Sequence, residues 1–289
     1  MVSKKKNLSL EKELKNKTIL VTGGAGSIGS AVVKKLLEYP VRSVRILDLD
    51  EYSLFKLKRS LNDQRLRLLL GSILDQDRVE MAGKDVDIII HAAAIKNVEI
   101  SESNPIETID VNTNGTKNMI KMAMKFTPKK FLNISTDKAA DAATLYGTTK
   151  QLGERLTSWA GFHGTPTKFA SVRLGNVIES RGNVFDVWRN EVENHKPLSI
   201  TDASMKRYFF HMDEAIDFIF NCLIQMKLGE IFVPKMKAHK IIDLANKISK
   251  KHKIIGLRQG EKMEEVLITV DEKKKAIQNE KMWIIKPYS

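Results

Sequence analysis

Cysteine is nearly absent. Cys222 is the only one in 289 residues, and it sits in the apolar run 216–224, as a core residue would. One cysteine excludes an intrachain disulfide framework. No apolar run approaches the roughly 20 residues of a membrane-spanning helix. The lysines near the start are followed by no apolar stretch, so no secretory signal is read there. Together these absences point to a cytoplasmic protein. Also missing are an internal repeat, a clustered set of His and Cys ligands, a nucleophile elbow, and a basic stripe interleaved with aromatics. No metal site and no nucleic-acid partner are therefore expected.

Negative charge is in short supply. Lysine and arginine total 48 against 35 acidic residues, a formal charge of +13. Residues 1–17 hold six lysines and two glutamates; Lys247, Lys250, Lys251 and Lys253 form a second cluster, and Lys273–Lys275 a third. Such a surplus suits nucleic acid, an anionic membrane face or a phosphorylated small molecule. Without a motif for the first, it reads as a solvated, lysine-rich surface. Residues 1–16 read as a basic N-terminal tail, with a short helix carrying Leu8, Leu10 and Leu14.

What the chain has in quantity is alternation. Thr18–Thr22 (TILVT) reads as a buried strand. GGAGSIG follows, with Gly23, Gly26 and Gly29 in GxxGxxG spacing, and an apolar helix then runs through Leu37. Glycines there permit a tight turn and close backbone approach to a pyrophosphate on the helix N-terminus, where Ser27 and Ile28 stand. Further strands are expected at Ser43–Leu47, Leu66–Leu70, Val86–Ile90, Phe131–Ser135 and Lys168–Leu174. The second ends at Asp48, whose carboxylate suits the adenosine ribose hydroxyls and repels a 2′-phosphate; the plainer alternative is a helix cap. Ala92, Ala93 and Ala94 after the fourth strand let backbone pass close to a dinucleotide. His91 reads as packed at the strand end. Asn112 and Asn114 open a helix running to about Met124, and Tyr146–Trp159 is a long one. The fold class is α/β, a Rossmann-type doubly wound parallel sheet with a smaller C-terminal substrate-binding lobe. The boundaries are placed at 17–175 and 176–289, the second interleaved with the first. In the lobe, helices are expected at Val184–Val192, Asp213–Met226 and Ile241–His252. Arg181, Arg207 and Arg258 there suit a substrate diphosphate.

The stretch Ser135–Lys150 (STDKAADAATLYGTTK) carries the chemistry. Tyr146 and Lys150, four apart, share a helix face. A phenol with a pKa near ~10 is a poor base at neutral pH until a cation lowers it. Lys150 is a candidate for that cation. Asp137 and Lys138 set an acid and a base side by side at the end of a strand.

With TGGAGSIG, HAAAIKNVEISESNP, STDKA, YGTTK, RLGNVIESRGNV, ITDASMKRYFF, GEIFVPK and KIIGLRQGEKMEE in view, the chain resembles the extended short-chain dehydrogenase/reductases. Within them it is most similar to the 5-inverting UDP-N-acetylglucosamine 4,6-dehydratases and the CapD-like polysaccharide biosynthesis proteins, over about residues 17–270. The resemblance implies a recycled NAD or NADP, with NAD favoured by Asp48 and by Leu49 in place of a cation. It implies a UDP-sugar substrate and a homo-oligomer. On this basis Tyr146 takes the C4 hydroxyl proton and Thr136 orients the C4 oxygen. Lys138 is the C5 base and Asp137 the acid for the C6 hydroxyl. Lys150 holds the nicotinamide ribose. That chemistry asks for a neutral Lys138 and a protonated Asp137, and burial is expected to shift both that way. Lys96 and Asn112 join the cofactor set. Lys96, Asn176, Ser180, Arg181, Gly182, Thr201, Arg207, Arg258 and Glu261 form the substrate set. The chain departs from the family pattern at Ser72, Asn97–Glu99, Leu174 and Asp186. A nucleotide-sugar epimerase that never dehydrates, or a non-catalytic dinucleotide-binding regulator, remain the alternatives.

Overall fold

A computed structural model describes residues 2–257 and 260–287. Its centre is a nine-stranded sheet. Six strands come from the first part of the chain: β1 (Thr18–Thr22), β2 (Ser43–Asp48), β3 (Leu66–Leu70), β4 (Ile88–His91), β5 (Lys130–Thr136) and β6 (Lys168–Leu174). They lie in the order 3-2-1-4-5-6, all parallel. This is the doubly wound order, with its crevice where the direction of winding reverses, between β1 and β4. The strands are short apolar runs because both faces are covered. Every residue of β1, β4 and β5 is buried.

Two apolar clusters form the two covered faces. One joins Leu20, Val79, Ile89, Met119, Met122, Phe131 and Phe169. The other joins Val21, Val33, Leu36, Ile90, Leu132, Ile219 and the buried Cys222. Leu10 and Leu14 belong to this second cluster, on a helix spanning Val2–Leu14. Glu13 on it pairs with the buried Lys130 at 2.9 Å. The basic N-terminal segment is thus docked through its last turn, while Leu8 stays exposed.

The sheet continues with later chain. Glu230–Pro234 pairs parallel with β6; Met282–Ile285 and then Ile277–Gln278 add antiparallel strands at the edge. So the outermost two strands break the expected parallel run. A third cluster, Trp188, Leu198, Ile200, Met205, Ile241 and Ala245, gives residues 184–245 a small core of their own. The expected helix Ile241–His252 is shorter: it ends at Ala245, and His252–Ile254 forms a strand beside Leu198–Ile200. Apolar periodicity explains this. Ile241 and Ala245 are buried, but Lys247, Lys250 and Lys251 beyond them give no face to bury. Among the described residues no helix is long and apolar enough to cross a membrane, and no cluster of His, Cys, Asp or Glu could hold a metal.

Candidate active site

Backbone builds one half of the cleft. Gly23 follows β1 with φ +63°, and a Cβ there would lie 2.7 Å from the Ala93 backbone. At Gly29 a Cβ would lie 2.1 Å from the Gly23 carbonyl. The turn therefore packs against Ala92 and Ala93, and the helix Ser27–Leu37 packs on the turn, only because side chains are missing. Gly26 is the N-cap residue and offers no side-chain cap to the helix amides. That is the cradle a pyrophosphate needs, so the residues present fit a dinucleotide. Ser27 and Ile28 open the helix beneath it.

Asp48 ends β2 beside this turn. Its Oδ2 accepts from the Ala25 amide at 2.9 Å and its Oδ1 from the Asp50 amide at 3.1 Å. The helix-cap alternative falls to Asp50, which accepts from the Ser53 amide at 3.0 Å. Asn112 lies in a π-helical turn, Asp110–Gly115, of the kind often kept at functional sites. Its side chain accepts from Ile95 N (2.8 Å) and donates to Ile95 O (2.9 Å) and to Thr149 Oγ1 (3.1 Å). It pins the loop after β4 to the helix Leu145–Phe162 (Thr149 is on it). His91 is buried between Thr22 Oγ1 at 2.6 Å and Thr116 Oγ1 at 3.0 Å. Burial, and then Lys150, push its pKa down to about 3, so it is neutral and structural.

Side chains build the other half. Thr136 ends β5, and Asp137–Ala139 forms a single 3-10 turn. Thr136 donates to Asp137 Oδ1 at 2.9 Å. Lys138 Nζ lies 3.2 Å from the same oxygen. Asp137 Oδ2 is buried with no partner, as is Ser135 Oγ, and such orphaned atoms mark where a ligand belongs. The helix bearing Tyr146 and Lys150 is capped by Thr144, whose Oγ1 accepts from Gly147 N at 3.0 Å. A Cβ at Gly147 would lie 2.4 Å from the Lys138 carbonyl. That glycine lets the helix start rest on the Asp137–Ala139 turn and brings Tyr146 against Thr136 and Lys138.

The charges differ from expectation in two ways. Burial alone lowers the Lys138 pKa, but Asp137, Glu265 and Tyr146 outweigh it, and the lysine is held above its ordinary value as an ammonium. Burial raises the Tyr146 pKa, and the cation that opposes this is Lys138 rather than Lys150. Lys150 is itself lowered to about 8 by burial, partly offset by Glu154.

Glu265 escaped the sequence reading. It is buried, with Oε1 3.5 Å from Lys138 Nζ. Its neighbour Glu264 reaches outward to Lys206 at 2.5 Å. The pair reads alike in sequence; only the bridge between residues 206 and 264 decides which carboxylate turns inward. Arg173 was also unassigned as a site support. It ties Glu154 to Glu272 with bonds of 2.7–2.9 Å, locking the Lys150 helix to the C-terminal segment.

Among the expected substrate residues, Lys96 meets the Arg181 carbonyl and Arg207 meets Glu261. Arg207 is buried and donates to the carbonyls of Lys206, Lys262 and Met263, with Glu261 at 3.5 Å. It shapes the segment that delivers Glu265. Asn176 donates to Tyr208 O at 3.0 Å; Ser180 and Thr201 each lie in a loop, and Gly182 takes φ +68°. Arg181 lies across the glycine-turn side of the cleft, and Arg258 falls outside the described residues.

The family described as polysaccharide biosynthesis protein matches residues 19–287. The chain belongs to that family. The inverting UDP-N-acetylglucosamine 4,6-dehydratase of Campylobacter jejuni is 38% identical over 94% of this chain and 83% of its own. A UDP-glucose 4-epimerase of Rickettsia bellii is 33% identical over 90% of this chain and 80% of its own. Among solved structures, Pen from Bacillus thuringiensis superposes with a TM-score of 0.90 at 34% identity, covering 94% of this chain and 89% of that one. The likeness read from STDKA and YGTTK is borne out, and so is the Rossmann-type fold. Relatives in this family carry the names of both a dehydratase and an epimerase.

Proposed function

We propose that the protein is a nucleotide-sugar 4,6-dehydratase acting on UDP-N-acetylglucosamine, with inversion at C5, for surface glycan synthesis. One observation carries this reading: the pair of buried Asp137 and partly buried Lys138 beside Tyr146, with Asp137 Oδ2 left unpartnered. An epimerase working only at C4 has no use for a second acid and base. A dinucleotide-binding regulator needs none of the three.

A nicotinamide dinucleotide on the glycine turn would supply the hydride acceptor at C4 and the donor at C6. Gly23, Gly26 and Gly29 would cradle its pyrophosphate, Asp48 its adenosine ribose, and Lys150 its nicotinamide ribose. Asp48 and the apolar Leu49 favour NAD over NADP. Tyr146 takes the C4 hydroxyl proton while Thr136 orients that oxygen. The ketone at C4 makes the C5 proton acidic, and Lys138 removes it. Asp137 protonates the departing C6 hydroxyl. The ion pair of the free protein sits one step from that arrangement. Moving one proton across the 3.2 Å from Lys138 Nζ to Asp137 Oδ1 gives a neutral amine and a carboxylic acid together. Displacement of water by the sugar favours the neutral pair.

The test is incubation with UDP-N-acetylglucosamine in deuterium oxide. Loss of one water, one deuteron at C5 and inverted C5 are expected by mass spectrometry and NMR. A product isomeric with the substrate instead identifies an epimerase.

A further inference from the structure

Arg181 belongs to the half of the chain expected to hold the sugar, yet its contacts are on the other side. Its backbone amide donates to Ser27 Oγ at 3.0 Å, at the start of the glycine-turn helix. Its guanidinium Nη1 donates to Ser53 Oγ at 3.2 Å, in the first turn of the helix after β2. One residue thus spans the two places where a dinucleotide lays its pyrophosphate and its adenosine ribose. Its own loop is fastened there. Lys96 Nζ donates to the Arg181 carbonyl at 2.5 Å, and the Gly182 amide donates to Asp186 Oδ2 at 2.7 Å. The guanidinium also acts on Asp50, whose pKa is held below the ordinary range, first by Ser53 and then by Arg181.

We propose that Arg181 is a cofactor-binding residue, a cation that closes from the lobe over the adenosine–pyrophosphate half of the dinucleotide, and is not a ligand of the substrate diphosphate. This rests on the reading that a dinucleotide occupies the cleft. The guanidinium is exposed and its hydrogen bond is to a neutral hydroxyl, with the Asp50 carboxylate nearby, so the fork keeps edges open to a phosphate. Arginine's fork suits that group. Because Asn183, two residues on, caps the helix Val184–Glu193, the contact also links cofactor binding to the position of the lobe.

The experiment is calorimetric titration of NAD, NADP and UDP into the full chain and into Arg181→Gln, with Ser53→Ala as a second variant. Arg181→Gln is expected to weaken NAD and NADP at least about ten-fold, the scale of a lost charge-assisted contact, and to leave UDP within about two-fold. Ser53→Ala removes the guanidinium's seat, together with the Ser53 Oγ bond to Asp50 Oδ2 (2.6 Å), and keeps the cation, so it should weaken the dinucleotides by a few-fold. Arg181→Lys should recover part of the loss. Weakened UDP with unchanged dinucleotide binding returns Arg181 to the substrate and overturns the proposal; so does no change in either. Failure of the unaltered protein to bind any dinucleotide is a different result, and sinks the functional reading itself.

Discussion

The glycine turn and the end of β5 lie in one cleft but are made differently. The turn is a shape. Its fit depends on missing Cβ atoms at Gly23 and Gly29, and none of its own residues, 23–29, is titratable. The end of β5 is a set of charges: buried Asp137 and Glu265 hold the Lys138 pKa up, and Lys138 in turn opposes the rise that burial imposes on Tyr146. A shape is written locally in the chain and fails all at once. A charge set is assembled from distant segments and can be tuned by degrees.

That contrast can be broken at several points. Tyr146→Phe should lower turnover by about 10³-fold, within the range for a lost acid–base group, while dinucleotide binding by titration changes little. Equal loss of both would merge the two halves. Gly29→Ala should do the reverse. A Cβ pressed against a carbonyl costs about 1–3 kcal/mol when overpacked, so thermal stability and dinucleotide binding should both fall. Retention of both would mean the helix can slide away from the turn.

A smaller effect sharpens the charge set. Glu265→Gln removes one anion beside Lys138 and lets burial pull that lysine's pKa down. The acid limb of the pH–rate profile should then move to lower pH. An unmoved limb would show that Glu265 does not govern Lys138. Lys150 bears on stability rather than on turnover. Its folded value of about 8 lies below its ordinary one, so the unfolded chain binds the proton more tightly. Stability should therefore rise as pH increases from about 8 towards lysine's ordinary value, and the penalty should be constant below 8. Denaturant midpoints compared between the protein and Lys150→Met across that window would show the rise vanish with the lysine.

The parts legible in sequence were those fixed by near neighbours. Strand, glycine turn and helix are adjacent in the chain, so TILVT-GGAGSIG announced the cradle. STDKA and YGTTK stand close enough that β5 and the next helix had to bring them together. Glu265 was not legible because its inward turn depends on pairing with Lys206, nearly sixty positions away in the chain. The charge of Lys138 followed from that omission: reading burial alone gives the wrong direction. The truncated helix at Ala245 shows the converse, a local apolar pattern that ends earlier than the run of helix-forming residues around it.

β6 has its second partner far downstream. It leans on β5 on one side and on Glu230–Pro234 on the other, and every residue after Lys168 in it is buried. While a ribosome works through residues 176–229, the emerging protein therefore carries Phe169, Ala170, Val172 and Leu174 on an open strand edge. Arg173 meanwhile still lacks Glu272. Such an edge is a template for pairing with other chains. The nascent half-protein is thus a natural client for a chaperone, and a gene cut after residue 175 should yield insoluble material rather than a free nucleotide-binding unit.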